Sequence, residues 1–483
     1  MTTITQQKYQ IVIGLEVHAQ LKTKSKLFCA CSTQFGKEPN ANTCPVCLGY
    51  PGVLPVLNKQ AVDYAIKAGL ALGCQIDLNS KFDRKQYFYP DLPKGYQISQ
   101  FDKPLCNNGM LNIGSKDVRI LRIHMEEDAG KLVHAGAERL HGSDYSLVDL
   151  NRASTPLIEI VSEPDIRSAE EAVLYVKELR KVLLYLDVCD GNMQEGSLRC
   201  DVNISLNKLG EPFGTRAEIK NVNSFRSISR AIDYEYKRQS EILDQGGTVV
   251  QETRLFDEHT GKTHSMRSKE DAHDYRYFPD PDLLPLVLTQ EQVNNINQTL
   301  PELPQQKKNR YVAEFGINVD SAEIITDDLA TALFFEAVLS KGANPVKAVN
   351  WLNGQVSAYL NENNLTLAQT KLTPELLAEM ISLIEDGTIS DNIAKNDIII
   401  DLITQGVSAR IQVQDKGLAQ ITDTSAIEAI VKEVLDANPN QVAQFKSGNE
   451  KIKGFFVGQI MKKTQGKASP QIINQCLDKL LSA

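Results

Sequence analysis

The feature that most constrains this chain is a strict alternation of apolar and polar residues near its start. From Ile11 to Leu21 every second residue is apolar, and Glu16, His18 and Gln20 stand between the apolar positions. A second alternation of this kind runs from Leu198 to Leu206. A two-residue period is typical of β-strands with one buried face. The chain is therefore expected to build a sheet whose chemistry lies on its polar face.

Three helical segments interrupt the strands of the first 290 or so residues. The sequence predicts them from Lys59 to Leu72 with Gly73 after the end, from Ser168 to Leu186 with Glu171 in a capping box, and from Ser224 to Gly246. Strands and helices in this arrangement indicate an α+β domain on a largely antiparallel sheet.

The length of 483 residues allows about three domains. A proline-rich stretch at residues 279–285 marks a boundary, and helical patterns follow it, with Thr373-Pro374 as one start and a capping box of Ser425 and Glu428 as another. We expect a cradle domain over residues 1–290, a helical domain over 291–407 and a small helical tail domain over 408–483.

Several classes of protein are excluded or disfavoured. No run of 18 apolar residues and no signal peptide is visible, so a cytoplasmic protein with reduced thiols is expected. The segment Gly191–Gly196 resembles a phosphate-binding loop but lacks its lysine, and no dinucleotide-binding glycine motif occurs.

Four of the nine cysteines form a compact pattern, Cys29-x-Cys31 and Cys44-x-x-Cys47, with twelve residues between the pairs. Two close thiolate pairs joined by a short loop are typical of a tetrahedral zinc site without an open position, and such a site is structural. Unligated thiols or a redox pair are the alternatives.

Charged side chains also fall inside strand patterns. Glu16 and His18 share a face, His124 and Glu126 share another, and Glu159 interrupts an apolar strand. A carboxylate in such a strand is costly unless it is paired or bound to a cation. Mg²⁺ at the carboxylates and an imidazole is one interpretation. Buried salt bridges with Arg122, Arg152 or Arg199 are the other.

The net charge of −9 makes contact with a polyanion dependent on a local basic patch. The segment 450–483 carries six lysines against two acidic residues, and Lys462, Lys463 and Lys467 are its candidates for binding RNA. A solvated helix face is the alternative. Arg216 and Lys220 are candidate phosphate ligands on a strand, with solvated charges as their alternative.

Longer motifs resemble one family, the B subunits of heterotrimeric tRNA-dependent amidotransferases. The matching stretches are Ile13–His18, Tyr87–Gln100, His124–Lys131, Asp149–Arg152, Pro156–Pro164, Gly196–Asp201 and Phe456–Met461. The resemblance covers nearly the whole chain, and its motifs are long.

The resemblance implies a two-step reaction. ATP phosphorylates the side-chain carboxylate of Glu-tRNA(Gln) or Asp-tRNA(Asn), and ammonia then converts the acyl phosphate to the amide. This is a carbon–nitrogen ligase activity. The ammonia comes from glutamine hydrolysed on the partner A subunit, and a small C subunit completes the heterotrimer.

The resemblance also assigns residues. It implies Mg²⁺ at His18, Glu126 and Glu159 with Glu16 beside them, an ammonia route along Lys85, Lys94 and Glu127, a structural zinc that some members lack, and a tail that contacts tRNA. Two alternatives remain: a non-catalytic tRNA-binding scaffold, and a free-standing ammonia ligase for a small metabolite, which the basic tail disfavours.

Overall fold

The structure is a computed structural model that describes residues 8–134, 145–268, 275–421, 423–464 and 467–481. By its internal contacts the chain divides into two units, Met1–Leu303 and Pro304–Ala483. The domain bounds expected from the sequence stay a prediction.

The first unit is built around a nine-stranded sheet. The strands of the unit are β1 Gln10–Gln20, β2 Gln75–Ile76, β3 Asn79–Ser80, β4 Asp83–Gln86, β5 Tyr96–Ser99, β6 Cys106–Asn112, β7 Asp117–Glu127, β8 Lys131–His134, β9 Ser146–Asp149, β10 Pro156–Ser162, β11 Leu198–Asn207, β12 Ala217–Lys220, β13 Glu252–Asp257, β14 Lys262–Ser268, β15 Phe278–Pro279 and β16 Leu286–Val287. The order in the large sheet is β14-β13-β12-β11-β1-β10-β7-β6-β2, and its pairs are antiparallel except β12 with β13. The predicted α+β class on a largely antiparallel sheet is confirmed.

The described residues of this unit form four helices: α1 Lys59–Ala71, α2 Ala169–Tyr185, α3 Phe225–Asp244 and α4 Gln290–Asn297. The first three begin and end close to the predicted positions. Asn58 caps α1 and Gly73 follows it at a φ of 68°, a conformation that glycine adopts without strain. The amide of Glu171 donates to Ser168 as predicted, but the Glu171 carboxylate accepts from the amide of Arg167 rather than of Ser168.

One face of the sheet packs against these helices. The alternate residues Ile11, Ile13, Leu15 and Val17 of β1 are buried in a common core with α1, α2 and α3. The opposite face of β1 therefore carries Glu16, His18 and Gln20, as the two-residue period predicts.

The second unit is helical. Its helices are α5 Pro304–Phe315, α6 Val319–Thr326, α7 Leu329–Ser340, α8 Pro345–Trp351, α9 Ser357–Asn363, α10 Pro374–Glu385, α11 Asp391–Ile393, α12 Ile399–Thr404, α13 Ala409–Asp415, α14 Thr424–Asp436, α15 Pro439–Lys446, α16 Lys453–Lys463 and α17 Pro470–Leu481. Two separate hydrophobic cores lie within it, one formed by residues 311–413 and one by residues 427–481. None of the described helices of the chain is long and apolar enough to span a bilayer.

Thr373 caps α10 as predicted. The prediction of a capping box formed by Ser425 and Glu428 is wrong. The N-cap of α14 is Asp423, whose carboxylate accepts from the amides of Ser425 and Ala426. Asp423 is as good a cap as serine and lies at the helix boundary. Glu428 instead pairs with Lys479 of α17.

Candidate active site and cysteine cluster

A row of side chains crosses three strands of the polar face in register. His18 of β1 lies opposite Glu159 of β10, which lies opposite His124 of β7. The Nε2 atoms of His18 and His124 are 3.5 and 3.2 Å from Oε2 of Glu159. Glu126 lies two residues beyond His124, with Oε1 3.9 Å from Nε2 of His18. The sheet thus gathers two carboxylates and two imidazoles from three distant parts of the chain.

The charges of this group depend on one another. Burial alone would raise the pKa of Glu159, but the imidazoles of His124 and His18 outweigh it and hold that pKa well below its usual range. The pKa of Glu126 is also lowered, because His124 outweighs the effect of burial. Burial would lower the pKa of His124, but Glu159 and Glu126 raise it to about 9. Both carboxylates are therefore held ionised, the state in which they bind a cation.

His18, Glu126 and Glu159 form a carboxylate cluster that fits a divalent cation, because one ligand atom of each lies within 4.8 Å of the others. Mg²⁺ takes carboxylate oxygens and keeps further positions for water and phosphate oxygens. The imidazole of His18 is a less usual ligand for a hard cation. Ser99 donates to Glu126 at 3.3 Å and so orients one of the two carboxylates.

The salt-bridge interpretation of these glutamates does not match the arginines. Arg199 and Arg152 both lie next to Asp128, with closest distances of 2.8 and 3.6 Å. In the described part of the chain, no arginine comes within ion-pair distance of Glu126 or Glu159. Those two carboxylates face the imidazoles instead.

Glu16 lies two residues before His18 on β1, in a different acidic group with Asp201 and Glu218. Burial raises the pKa of Glu16, and Glu159 and Glu218 raise it further. Lys220 contacts this group, with Nζ 2.7 Å from Asp201 and 2.9 Å from Glu218. Arg216 is exposed just before β12.

A cavity of about 630 Å³ opens near the end of β1, and none of His18, His124, Glu126 and Glu159 lines it. Its lining includes Gln20, Lys37, Arg152, Ser197 and Arg199, and neither Arg216 nor Lys220 is part of it. This volume is within the usual range for a site that binds a small molecule.

Lys94 and Glu127 form a buried ion pair on the other side of β7 from Glu126. The amide of Ile98 also donates to Glu127 at 2.9 Å. Burial would lower the pKa of Lys85, but Glu126 raises it above its usual range, so Lys85 belongs electrostatically to the carboxylate cluster.

The four clustered cysteines come together as the spacing predicts. The four Sγ atoms lie within 4.8 Å of one another. In a tetrahedral Zn–S₄ site the sulfur ligands are about 3.8 Å apart, so the cluster needs little adjustment to hold the ion. The ammonium of Lys26, which is fully buried, lies 3.5 Å from Sγ of Cys47. The Cys29 thiol lowers the pKa of Cys47 to about 4 against the effect of burial, and the Cys44 amide and Lys26 lower it further. The cluster fits a structural Zn²⁺.

The tail lysines of the second unit differ in their contacts. Lys463 forms an ion pair with Glu433. Lys462 is exposed and Lys467 is half-buried, and within the described residues neither has an ion-pair partner.

Sequence reasoning did not include His124 in the cation site, although its imidazole lies beside Glu126 and Glu159, and it missed Asp128, which holds two arginines. Asp201 and Glu218 were also not singled out. The alternation already placed His124 on the face of Glu126, but its proximity to Glu159 depends on which strands are neighbours.

The polar sheet face and the four-cysteine cluster define an α+β protein in which two separate groups of side chains have a geometry that could hold a cation. The family described as GatB/GatE catalytic domain matches residues 11–294, and the family described as GatB domain matches residues 333–481. The chain belongs to the GatB family.

Similar proteins cover almost the whole chain. The B subunit of the aspartyl/glutamyl-tRNA(Asn/Gln) amidotransferase from Thermosynechococcus vestitus is 56% identical over 484 residues, which is 98% of this chain and 97% of that protein. The protein of the same name from Geotalea uraniireducens is 55% identical, over 98% of this chain and 100% of its own length.

Proposed function

We propose that this chain is the subunit of a tRNA-dependent amidotransferase that activates and amidates the side-chain carboxylate of Glu-tRNA(Gln), Asp-tRNA(Asn) or both. The observation that carries the proposal is the in-register group of His18, Glu126 and Glu159 in a chain of this family. A scaffold that only bound tRNA would gain nothing from buried carboxylates held ionised beside imidazoles.

The chemistry explains why ATP is needed. A free carboxylate resists attack by ammonia, because an oxide would have to leave. Transfer of the γ-phosphoryl group of ATP to a carboxylate oxygen forms an acyl phosphate and releases ADP. Ammonia then attacks the carbonyl carbon and loses a proton, phosphate leaves with the former carboxylate oxygen, and an amide remains. Mg²⁺ bound at His18, Glu126 and Glu159 would neutralise negative charge on the phosphates of ATP during the transfer.

The polar face of the sheet carries two groups of residues, on different strands, to which we assign different tasks. His18, Glu126 and Glu159 hold the cation, and Glu16 lies beside them. We assign ATP to the part of this face formed by β11 and β12, where Arg216 and Lys220 would bind its phosphates. Asp201 and Glu218 neutralise the charge of Lys220 in the free protein. Lys220 would therefore bind a phosphate of ATP only when a cation or that phosphate enters the acidic group.

Ammonia would reach this site from the partner amidase A subunit, with a small C subunit completing the complex. Among the described cysteines, the one with a strongly lowered pKa is Cys47, and it lies in the four-cysteine cluster. The ion pair of Lys94 and Glu127 and the lysine Lys85 are the polar groups that we assign to the ammonia route. Because Cys47 belongs to the four-cysteine cluster, we assign glutamine hydrolysis to the partner subunit. The aminoacyl-tRNA substrate implies a cytoplasmic location.

Replacement of Glu159 by glutamine tests the catalytic role. In the complex with the A and C subunits, Glu159→Gln should abolish ATP-dependent amide formation while tRNA affinity changes by less than about threefold, because a neutral amide holds Mg²⁺ poorly. Glu163→Gln, four positions on and outside the cluster, is the matched control. Amidation at the wild-type rate in Glu159→Gln would favour the scaffold. Assays with each misacylated tRNA would then define the substrate.

A further inference from the structure

A partly exposed pair of stacked aromatic rings lies close to the carboxylate cluster. The rings of Phe101 and Tyr277 have centroids 4.2 Å apart and planes 8° from parallel. Tyr277 covers one face of Phe101, and Phe101 remains 49% exposed. A flat ring that is fixed by a stacked neighbour and open to solvent is what an unpaired nucleobase stacks on.

Arg122 supplies a positive charge beside this pair. Its Nη1 donates to the carbonyl oxygen of Phe101 at 3.1 Å, which holds the guanidinium against the backbone of Phe101. Its Nε is buried without a hydrogen-bond partner, and no described carboxylate lies within ion-pair distance of it. Arg119, three positions earlier on the same strand, shows the contrast, because it is paired with Asp165. An arginine whose charge no carboxylate neutralises fits a phosphate oxygen.

The geometry of β7 connects this arginine to the reaction. Arg122, His124 and Glu126 alternate along the strand, so they project from the same face. Arg122 lies opposite Val161, two residues along from the pair of His124 and Glu159. Two residues along a strand span about 7 Å, so the distance to the carboxylate cluster is about one aminoacyl group.

We propose that Phe101, Tyr277 and Arg122 form the subsite for the 3′-terminal adenosine of the acylated tRNA, with its base on Phe101 and its phosphate on Arg122. This inference rests on the proposed function. ATP offers the same adenine nucleotide chemistry. The terminal adenosine is favoured because its esterified amino acid would extend from Arg122 toward Glu159, whereas Lys220 lies on the other side of β1.

Binding of two tRNA forms tests this assignment without ATP or turnover. The intact complex is titrated with the full tRNA and with the same tRNA lacking its terminal adenosine. One stacked base contributes about 1–3 kcal/mol, so wild-type protein should prefer the full tRNA by about tenfold. Phe101→Leu should bind both forms equally, and Phe101→Tyr should restore the preference. Phe213→Leu, an exposed phenylalanine elsewhere in the unit, is the control.

Arg122→Gln should weaken binding of the full tRNA about tenfold at low salt while the KM for ATP stays within twofold. A raised KM for ATP in Phe101→Leu, with the tRNA preference intact, would assign the rings to ATP and overturn the inference. An unchanged preference with an unchanged KM would also overturn it. Neither result touches the proposed function, which fails only if Glu159→Gln still amidates.

Discussion

At the scale of single residues, Lys26 shows how the chain handles charge in its interior. Its ammonium is fully buried and contacts Sγ of Cys47 and the carbonyl oxygen of Leu150 at 3.5 and 3.3 Å. A buried ammonium is costly without an anionic partner, and four thiolates around one Zn²⁺ carry two excess negative charges. Lys26 therefore balances the cysteine cluster and ties it to the segment after β9.

We predict that Lys26→Met weakens zinc binding about 10- to 100-fold, the usual effect of removing a side chain that supports metal ligands. The loss is measured by competition with a chelator and by elemental analysis of the purified protein. Lys24→Met, an exposed lysine two positions earlier, should keep wild-type zinc. Equal retention in both variants, or wild-type protein without zinc, would contradict the prediction.

Individual site residues were predictable to different degrees. The alternation in β1 and β7 indicated which side chains share a face, and the cysteine spacing indicated a four-thiolate cluster, which the structure brings together. Asp128 was harder to find because its partners Arg152 and Arg199 come from other parts of the chain. A sequence pattern gives the face of a residue, whereas its partners depend on strand order, which a single strand does not encode.

At the scale of elements, α3 is held to the sheet by a buried network. Glu235 of α3 is fully buried and accepts hydrogen bonds from Arg238 at 2.8 Å and from Thr263 of β14. The oxygen that accepts from Thr263, Oε1, also lies 3.0 Å from Nε of Arg254 in β13. Burial would raise the pKa of Glu235, but Arg238 and Thr263 outweigh it and lower that pKa.

We predict that Glu235→Gln lowers the free energy of unfolding of the first unit by about 3 kcal/mol at pH 7, because two arginines lose a buried anion. The folded pKa is lowered, so this contribution is complete above the unfolded value of about 4.3 and is lost as the pH falls through the folded pKa. Urea midpoints at neutral and acidic pH measure it. Exposed Glu241→Gln in the same helix is the control, and a difference that does not shrink at acidic pH would contradict the explanation.

Long elements were predictable and short ones were not. A clear two-residue period predicts the strands β1 and β11, and caps together with a helical period predict the helices α1 to α3. The predicted ends of these elements agree with the structure to within a residue or two. Two-residue strands such as β2 and β16 have no period to read, since tertiary pairing alone defines them. At α14 the sequence offers two acceptable caps, Asp423 and Ser425, and local propensity does not choose between them.

At the scale of the whole molecule, the net charge of −9 is an average over parts with different partners. The sheet face carries the carboxylates proposed to hold a cation, while the tail carries the lysines proposed to bind RNA. Lys463 is already paired with Glu433, and Lys462 and Lys467 are the better candidates.

We predict that Lys462→Gln with Lys467→Gln lowers the slope of log affinity for tRNA against log salt by about 1.5, because each phosphate contact contributes about 0.7–0.9. Filter binding of the complex across a range of KCl concentrations measures this slope. Lys479→Gln is the matched control, since Lys479 pairs with Glu428. An unchanged slope in the double variant would show that these lysines are merely solvated.

The in-register row of His18, Glu159 and His124 ties chemistry to the completion of folding. His18 and Glu159 are 141 positions apart, and β1 lies between β10 and β11, which come much later in the chain. A slip of one residue in the register of β1 turns His18 toward the apolar core. A nascent or misaligned chain therefore does not bring together His18, Glu126 and Glu159, the residues proposed to hold the cation.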